Sequence, residues 1–442
     1  MSADFVATPD VSRFALTNAT LPTALLSKPL AGPVREGLIP AHVIIDDGRI
    51  AAILPAETAL PYDIEKVDLD GGLVWPCFTD MHTHLDKGHI WERRPNPDGS
   101  FAGALEAVGS DRVANWSAED VTARMDFSLR TAYAHGTQLI RTHLDSLAPQ
   151  HRISFEVFKF MRERWRGRIE LQAVALFPLE LMEDATYLAD LVEVVGEAGG
   201  VLGGVTFLHP KIEAQLDLLF ETAAKAGLDI DLHVDETADR EVLTLASIAR
   251  AKLRHGFEGA VNVGHCCSLA RQDEETTEHV IDLVARADLS VVSLPMCNMY
   301  LQDRHPHRTP RWRGVTLLKE LAAAGVRTAV SSDNTRDPFY AYGDLDPVEV
   351  FREAVRILHL DHPLDHAPRV ITRSPAEILG RPELGCLAEG GGADLVLFSA
   401  RRWSEFLSRP QSDRVVLRGG RAIDRRMPDY RELDSLLGAD HA

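Results

Sequence analysis

The chain has 442 residues, 45% of them hydrophobic, enough for a sizeable core in one elaborate domain or a large domain with a small one. Lys and Arg total 47 against 66 Asp and Glu, a formal charge of −19, which argues against nucleic acid and against an anionic membrane surface, since both need concentrated positive charge. Five scattered cysteines without Cys-x-x-Cys spacing describe no disulfide framework and fit a reducing cytoplasm.

The start, Met1-Ser2-Ala3-Asp4-Phe5, has an early acid and no basic region leading into an apolar core, so no signal peptide is expected. No apolar run is long enough to span a bilayer. Residues 41–53 read as two strands around the Asp47-Gly48 turn. A similar pattern returns late, where Gly390-Gly391-Gly392 leads into residues 393–398 and residues 415–423 form another strand-turn-strand. Two β-rich ends around a different middle predict a small β-sandwich domain, residues 1–70 with 385–442, flanking a larger domain over 71–384.

That middle alternates apolar strands, ending near His84, Asp145, Phe177, Leu208, Asp235, His265, Leu294 and Asp333, with helical stretches such as 118–135, 152–165, 212–226, 237–254 and 274–286. Eight strands with long crossovers predict an α/β fold, a (β/α)8 TIM barrel, with a doubly wound open sheet as the alternative. No Gly-x-Gly-x-x-Gly follows the first strand, which removes the usual dinucleotide site.

The chemistry-bearing residues fall at the C-terminal ends of these strands, where a barrel places its active site. In His82-Thr83-His84 the two imidazoles sit at i and i+2 of an extended segment and share one side, as binding a single cation requires. Alone, the pair is a weak signal and reads first as two exposed loop histidines. Three further strands run into His233 (with Glu236 three residues on), His265 and Asp333, each singly compatible with a cap or a core histidine. Together they bring several imidazoles and a carboxylate, with no thiolate, to one rim. That set suits Zn(II) or Fe(II) better than calcium or magnesium. Cys266 and Cys267 read as small core residues.

With His82-Thr83-His84-Leu85-Asp86, Arg141-Thr142-His143-Leu144-Asp145, His233-Val234-Asp235-Glu236, Gly264-His265, Leu301-Gln302-Asp303-Arg304 and Ser332-Asp333-Asn334, nearly the whole chain resembles the amidohydrolase superfamily, and within it the cytosine deaminase branch. The resemblance implies one divalent metal ion held by His82, His84, His233 and Asp333, with Glu236, His265 and Asp333 as catalytic residues. Glu236 would shuttle a proton, and His265 would contact the activated water. Binuclear members carry a carboxylated lysine at the end of the fourth strand; here Lys211 lies beyond Pro210, so one metal is expected. The implied reaction is addition of metal-activated water to the amino-bearing ring carbon of a cytosine-like aminopyrimidine, with release of ammonia.

Three departures bear on the substrate. In cytosine deaminase an amide ends the third strand; Phe177-Pro178-Leu179-Glu180 places Leu179 there, which cannot pair a polar ring edge. Asn334 follows the aspartate where that branch has another acid, and with Asp86-Lys87 it is similar to the N-isopropylammelide isopropylaminohydrolase branch. Leu179, Asn334 and Lys87 are therefore the candidate substrate-binding residues, Lys87 reading equally as an ordinary exposed lysine. The loop over residues 91–99 is a candidate cover for the site.

The alternative functions are hydrolysis of an N-alkylamino group or cyclic amide on a triazine-like ring, and a catalytically dead scaffold, which would have lost ligands that this chain retains. Base-flipping zinc deaminases need Pro-Cys-x-x-Cys, and Pro76-Cys77 has no second cysteine at that spacing. The expected partner is a small heterocycle in the cytoplasm, with no nucleic acid and no membrane; whether copies of the chain assemble with one another is left open.

Overall fold

Asp47 (φ 46°) and Gly48 (φ 74°) turn the chain between two antiparallel strands, Leu38–Asp46 and Arg49–Pro55, the left-handed pair a two-residue hairpin requires. The computed structural model describes residues 5–438, so the first four residues of the chain, on which part of the reading of its start rests, lie outside it. In chain order the first five strands are β1 (Arg13–Pro22), β2 (Leu38–Asp46), β3 (Arg49–Pro55), β4 (Glu65–Asp68) and β5 (Leu73–Pro76). The next eight are β6 (Phe78–Thr83), β7 (Thr137–Asp145), β8 (Glu170–Leu176), β9 (Leu202–Val205), β10 (Ile230–Val234), β11 (Val261–His265), β12 (Ser290–Ser293) and β13 (Arg327–Val330). Three follow at the end: β14 (Leu395–Phe398), β15 (Val415–Arg418) and β16 (Arg421–Ala422).

The chain's two ends build one sheet of eight strands in the order β16-β15-β14-β5-β1-β2-β3, with β4 beside β1. Antiparallel pairing of β14 with β5 joins the ends. Alternating residues such as Phe14, Leu16, Val43, Ile45, Leu395 and Leu417 form its core.

Strands β6 to β13 are the barrel. Parallel ladders run β13-β12-β11-β10-β9 and β6-β7-β8. Parallel bridges Val174 to Val201 and Pro178 to Val205 link β8 to β9, and Thr83 to Asp333 links β6 to the end of β13, closing the ring. Between strands run α1 (Phe101–Asn115), α2 (Ala118–His135), α3 (Gln150–Arg164), α4 (Ala185–Glu197), α5 (Ile212–Ala226), α6 (Thr244–His255), α7 (Glu274–Arg286) and α8 (Pro295–Leu301).

Two elements differ from expectation. β9 stops at Val205, so Leu208 lies in the following loop. The helix expected over 237–254 starts only at Thr244, because the buried Asp235 carboxylate accepts hydrogen bonds from the Thr244 and Leu245 amides and the Thr244 hydroxyl, fixing that end.

The described residues fall into two compact units, those up to Asp80 with Thr131–Leu139 and Asp346–Met427, and Met81–Arg130 with Ile140–Leu345 and those from Pro428 on. These bounds differ from the expected ones. A buried Arg414–Asp346 ion pair (2.6 Å) ties residue 346 into the first unit. Glu432 pairs with Arg130 (2.6 Å) in the second. Among the described residues no helix is long and apolar enough to cross a membrane.

Candidate active site

Four barrel strands deliver a polar residue at or just beyond their ends. His82 lies in β6 with His84 two residues on, His233 lies in β10, His265 ends β11, and Asp333 follows β13. Asp333 N–H donates to His82 O at 2.9 Å, so the first and last barrel strands hold these two residues together. The backbone leaves the strands in left-handed conformation at Asp235 (φ 52°), His265 (φ 70°) and Asp333 (φ 64°). For such residues this costs of order 1–3 kcal/mol each and is characteristic of functional rims.

The side chains converge. His82 Nε2 lies 3.1 Å from His233 Nε2, which lies 3.3 Å from His84 Nε2. Asp333 Oδ1 is 3.1 Å from His84 Nε2 and 3.6 Å from His82 Nε2. Burial first, then the neighbouring imidazoles and the Lys87 ammonium, hold all three histidines well below the usual imidazole pKa. They are therefore neutral, and their lone pairs crowd one point beside a carboxylate. Four buried donor atoms within 4.8 Å of one another fit a single cation, and neutral imidazole with carboxylate is the donor set Zn(II) or Fe(II) takes.

A fourth imidazole, His143 of β7, stands 4.0 Å from the His82 ring and 4.7 Å from that of His233. His82, His143 and Asp231 also present donors within 4.8 Å. Asp231, however, is engaged by Arg141 at 2.9 Å, which makes this set the poorer cation site. Lys211 is remote from such a role: its exposed ammonium pairs with Glu183 at 2.7 Å.

Beside the cluster lie Glu236 and His265. Desolvation, reinforced by Asp333, raises the Glu236 carboxyl well above its ordinary range and so favours its protonated form. Burial pushes His265 down to about 3, leaving it neutral. Asn298 of α8 donates through Nδ2 to His265 Nδ1 at 2.8 Å and to Glu236 Oε1 at 3.2 Å. Gln302 donates to the Glu236 carbonyl at 3.1 Å. An occupied Nδ1 acceptor puts the His265 proton on Nε2, so His265 is a hydrogen-bond donor toward the cavity. The sequence carried no signal for Asn298; the Leu301-Gln302 segment belonged to a motif but had no assigned role.

A cavity of about 480 Å³ opens over this cluster, lined by His84, His233, Glu236, His265 and Asp333 and largely apolar elsewhere. Lys87 and Asn334 line it. Lys87 is buried, not exposed: it pairs with Asp145 at 3.4 Å and lies 4.8 Å above the Phe339 ring. Burial would lower its pKa, but Asp145, Asp337, Asp86 and Asp333 more than reverse that, so it is charged. Asn334 donates to Asp337 at 2.7 Å.

Leu179 is not a wall of this cavity. It begins a short 3₁₀ turn after Pro178 and packs against Gly204, while Phe177 and Pro178 face the cavity. The loop over 91–99 does not line it either. It leads to Ser100, which caps α1, and α1 supplies Phe101, Leu105, Val108 and Arg112 to the wall.

Comparison with known proteins agrees with this architecture. Residues 188–423 match the amidohydrolase family. The chain is 71% identical over 439 residues to a pterin deaminase of Rhizobium rhizogenes (strain K84), covering 99% of this chain and 100% of that protein. It is 24% identical to an N-isopropylammelide isopropyl amidohydrolase of Pseudomonas sp. (strain ADP), covering 81% of this chain and 88% of that one. The fold superposes on 5-methylcytosine deaminase of Klebsiella pneumoniae with a TM-score of 0.81 at 24% identity, over 94% of this chain and 98% of that chain. The chain belongs to the amidohydrolase family, as a hydrolase acting on carbon–nitrogen bonds.

Proposed function

We propose that the protein is a hydrolytic deaminase of an aminated N-heterocycle, and that its ring is a fused, pterin-like system rather than the single cytosine-like pyrimidine expected from sequence. The observation that carries the deaminase reading is the placement of the partly buried Glu236 carboxyl, which its surroundings bias toward the protonated form, on the wall of the cavity that holds the His82, His84, His233 and Asp333 donors. The larger ring is supported by the 71% identical pterin deaminase and by the roomy, mostly apolar cavity.

His82, His84, His233 and Asp333 would hold one divalent cation, Zn(II) or Fe(II), which supplies Lewis acidity to acidify a water at neutral pH. Asp333 takes the proton of the attacking water. Glu236 protonates the ring nitrogen next to the amino-bearing carbon, which makes that carbon amidinium-like and open to addition. His265 steers the incoming oxygen through its Nε2–H. Asp333 then returns its proton to the amino nitrogen as ammonia leaves. Glu236 recovers a proton from the new hydroxyl, leaving a ring carbonyl and both carboxyls as they began. Lys87 and Asn334 bind polar edges of the ring. Leu179 has no contact role. The chemistry is assigned to the barrel region, residues 71–384, none to the small β domain, residues 1–70 with 385–442, and the setting is cytoplasmic.

Assay of the Zn- or Fe-loaded enzyme for ammonia release from pterin, cytosine, isocytosine and an amino-triazine tests this. Pterin turnover with ammonia is expected. Alkylamine release from an N-alkylated triazine without ammonia from any ring would favour the N-alkylamino hydrolase reading instead.

A further inference from the structure

Beyond Gln302 the chain enters a segment unlike the rest of this acidic protein. Residues 303–313 hold four arginines, two histidines and one aspartate, within a chain of net charge −19. The segment forms one side of a second cavity of about 310 Å³, lined by Tyr300, Tyr340, Tyr342, Arg304, Arg308 and Arg313 among others. Its three tyrosine rings are mutually edge-on, with centroids 5.5 to 5.9 Å apart and interplanar angles of 84° to 88°. Arg304 lies 4.3 Å above the Tyr300 ring and donates to the Tyr300 carbonyl. Arg308 is neutralised by Asp303 at 2.7 Å, but among the described residues neither Arg304 nor Arg313 is paired with a carboxylate. Tyr342 is 65% exposed, an aromatic face open to solvent.

This cavity adjoins the active site. Gln302, which holds the Glu236 backbone, lines both. Arg304 packs directly on Gly99, in the loop leading to α1, and α1 walls the catalytic cavity. A cationic, tyrosine-lined annex one side chain away from a pocket for a neutral ring is the arrangement that receives a negatively charged extension of that ring.

We propose that the annex binds an anionic tail of the substrate: the preferred substrate is a deaminatable heterocycle carrying a short side chain that ends in a phosphate or carboxylate, gripped by Arg304 and Arg313 beside the tyrosine rings. The proposal rests on the deaminase reading. The test compares kcat/KM for three compounds sharing one pterin ring and one short side chain, ending in hydroxyl, phosphate ester or carboxylate, on metal-loaded wild type, Arg304→Gln and Arg313→Gln.

At low ionic strength a charged tail is expected to raise kcat/KM about tenfold or more over the hydroxyl compound, an advantage that closes with added salt and shrinks to under about threefold in either variant. Whether phosphate or carboxylate gains more identifies the tail. Equal kcat/KM for all three compounds would overturn the proposal, as would an advantage unchanged in both variants. Inorganic phosphate that inhibits the hydroxyl and charged compounds with equal potency would show a free-anion site and overturn it too. If no compound yields ammonia, the deaminase reading fails instead. Calorimetric binding of the phosphate ester then decides the annex: binding weakened in both variants supports it, and unchanged binding overturns it.

Discussion

Asn298 Nδ2 donates to His265 Nδ1 at 2.8 Å, which fixes the histidine's proton on the nitrogen facing the cavity, and the same amide reaches Glu236 Oε1 at 3.2 Å. One side chain thus touches both of the groups proposed to act in catalysis beside the cation site. Asn298 stabilises the Glu236 carboxylate, against burial and Asp333, which raise its pKa. Asn298→Ala should therefore raise that pKa further and move the basic limb of the kcat–pH profile to higher pH, with kcat down about tenfold, the scale of one lost hydrogen bond of about 1–2 kcal/mol. A pH–rate series checks this; an unmoved basic limb would remove Asn298 from the proton pathway.

Glu236→Gln keeps the size and the hydrogen-bonding capacity toward Asn298 but has no proton to give at a ring nitrogen. Metal content should stay at the wild-type level while kcat falls by about 10²–10⁴, the usual contribution of a positioned acid or base. Near-normal turnover with full metal would strip Glu236 of its role.

Gly264 lies in β11 against the His82 ring. A Cβ added there would stand 3.0 Å from His82 Cε1 and 3.3 Å from Nδ1, with Leu294 behind it at 3.6 Å. Gly264→Ala should tilt His82 out of the cluster and weaken metal affinity by about 10–100-fold, the range seen when a ligand's support is disturbed. Competition with a chelator of known affinity measures this, and wild-type affinity in the variant would show that His82 tolerates the displacement.

Away from the site, Arg414 donates to Asp346 through two nitrogens at 2.7 and 2.6 Å, both side chains buried. Burial alone would raise the Asp346 pKa; Arg414 and His135 overcome it and hold it well below the usual carboxylate range. A carboxylate lowered on folding contributes stability that is full above its unfolded pKa, near 3.9, and is lost as pH falls below it. Arg414→Leu should cost roughly 3–5 kcal/mol at neutral pH, because it strands a buried carboxylate. The variant should also lose less of its remaining stability between pH 5 and pH 2 than wild type does. Thermal unfolding across that range reports both effects, and parallel wild-type and variant curves would contradict the assignment.

The metal-type cluster was legible because strand periodicity and a strand-end aspartate bring donors to a rim without any knowledge of loops. His82 and His84 at i and i+2, and His233, His265 and Asp333 at strand ends, all meet as that logic requires. What depended on how the chain leaves a strand was not legible. Asn298 enters the site only because β12 is followed at once by α8, whose first turn faces Glu236 and His265. Leu179 leaves it because Pro178 starts a 3₁₀ turn. Lys87 read equally as solvated, since its burial depends on Asp145, fifty-eight positions along the chain. The eight-strand sheet was legible as two β-rich ends, but the placement of residues 428–438 was not, because it rests on side-chain pairs such as Arg130–Glu432.

One cation held by His82, His84, His233 and Asp333 is proposed to drive carbon–nitrogen hydrolysis with release of ammonia. The most direct test of this is bound metal and ammonia production measured in parallel on wild type, chelator-stripped protein and His233→Ala. One equivalent of Zn or Fe per chain is predicted, with ammonia lost on stripping, restored on reloading, and absent along with the metal in His233→Ala. Undiminished ammonia from metal-free protein or from His233→Ala would contradict the account, as would two equivalents falling to one in His143→Ala.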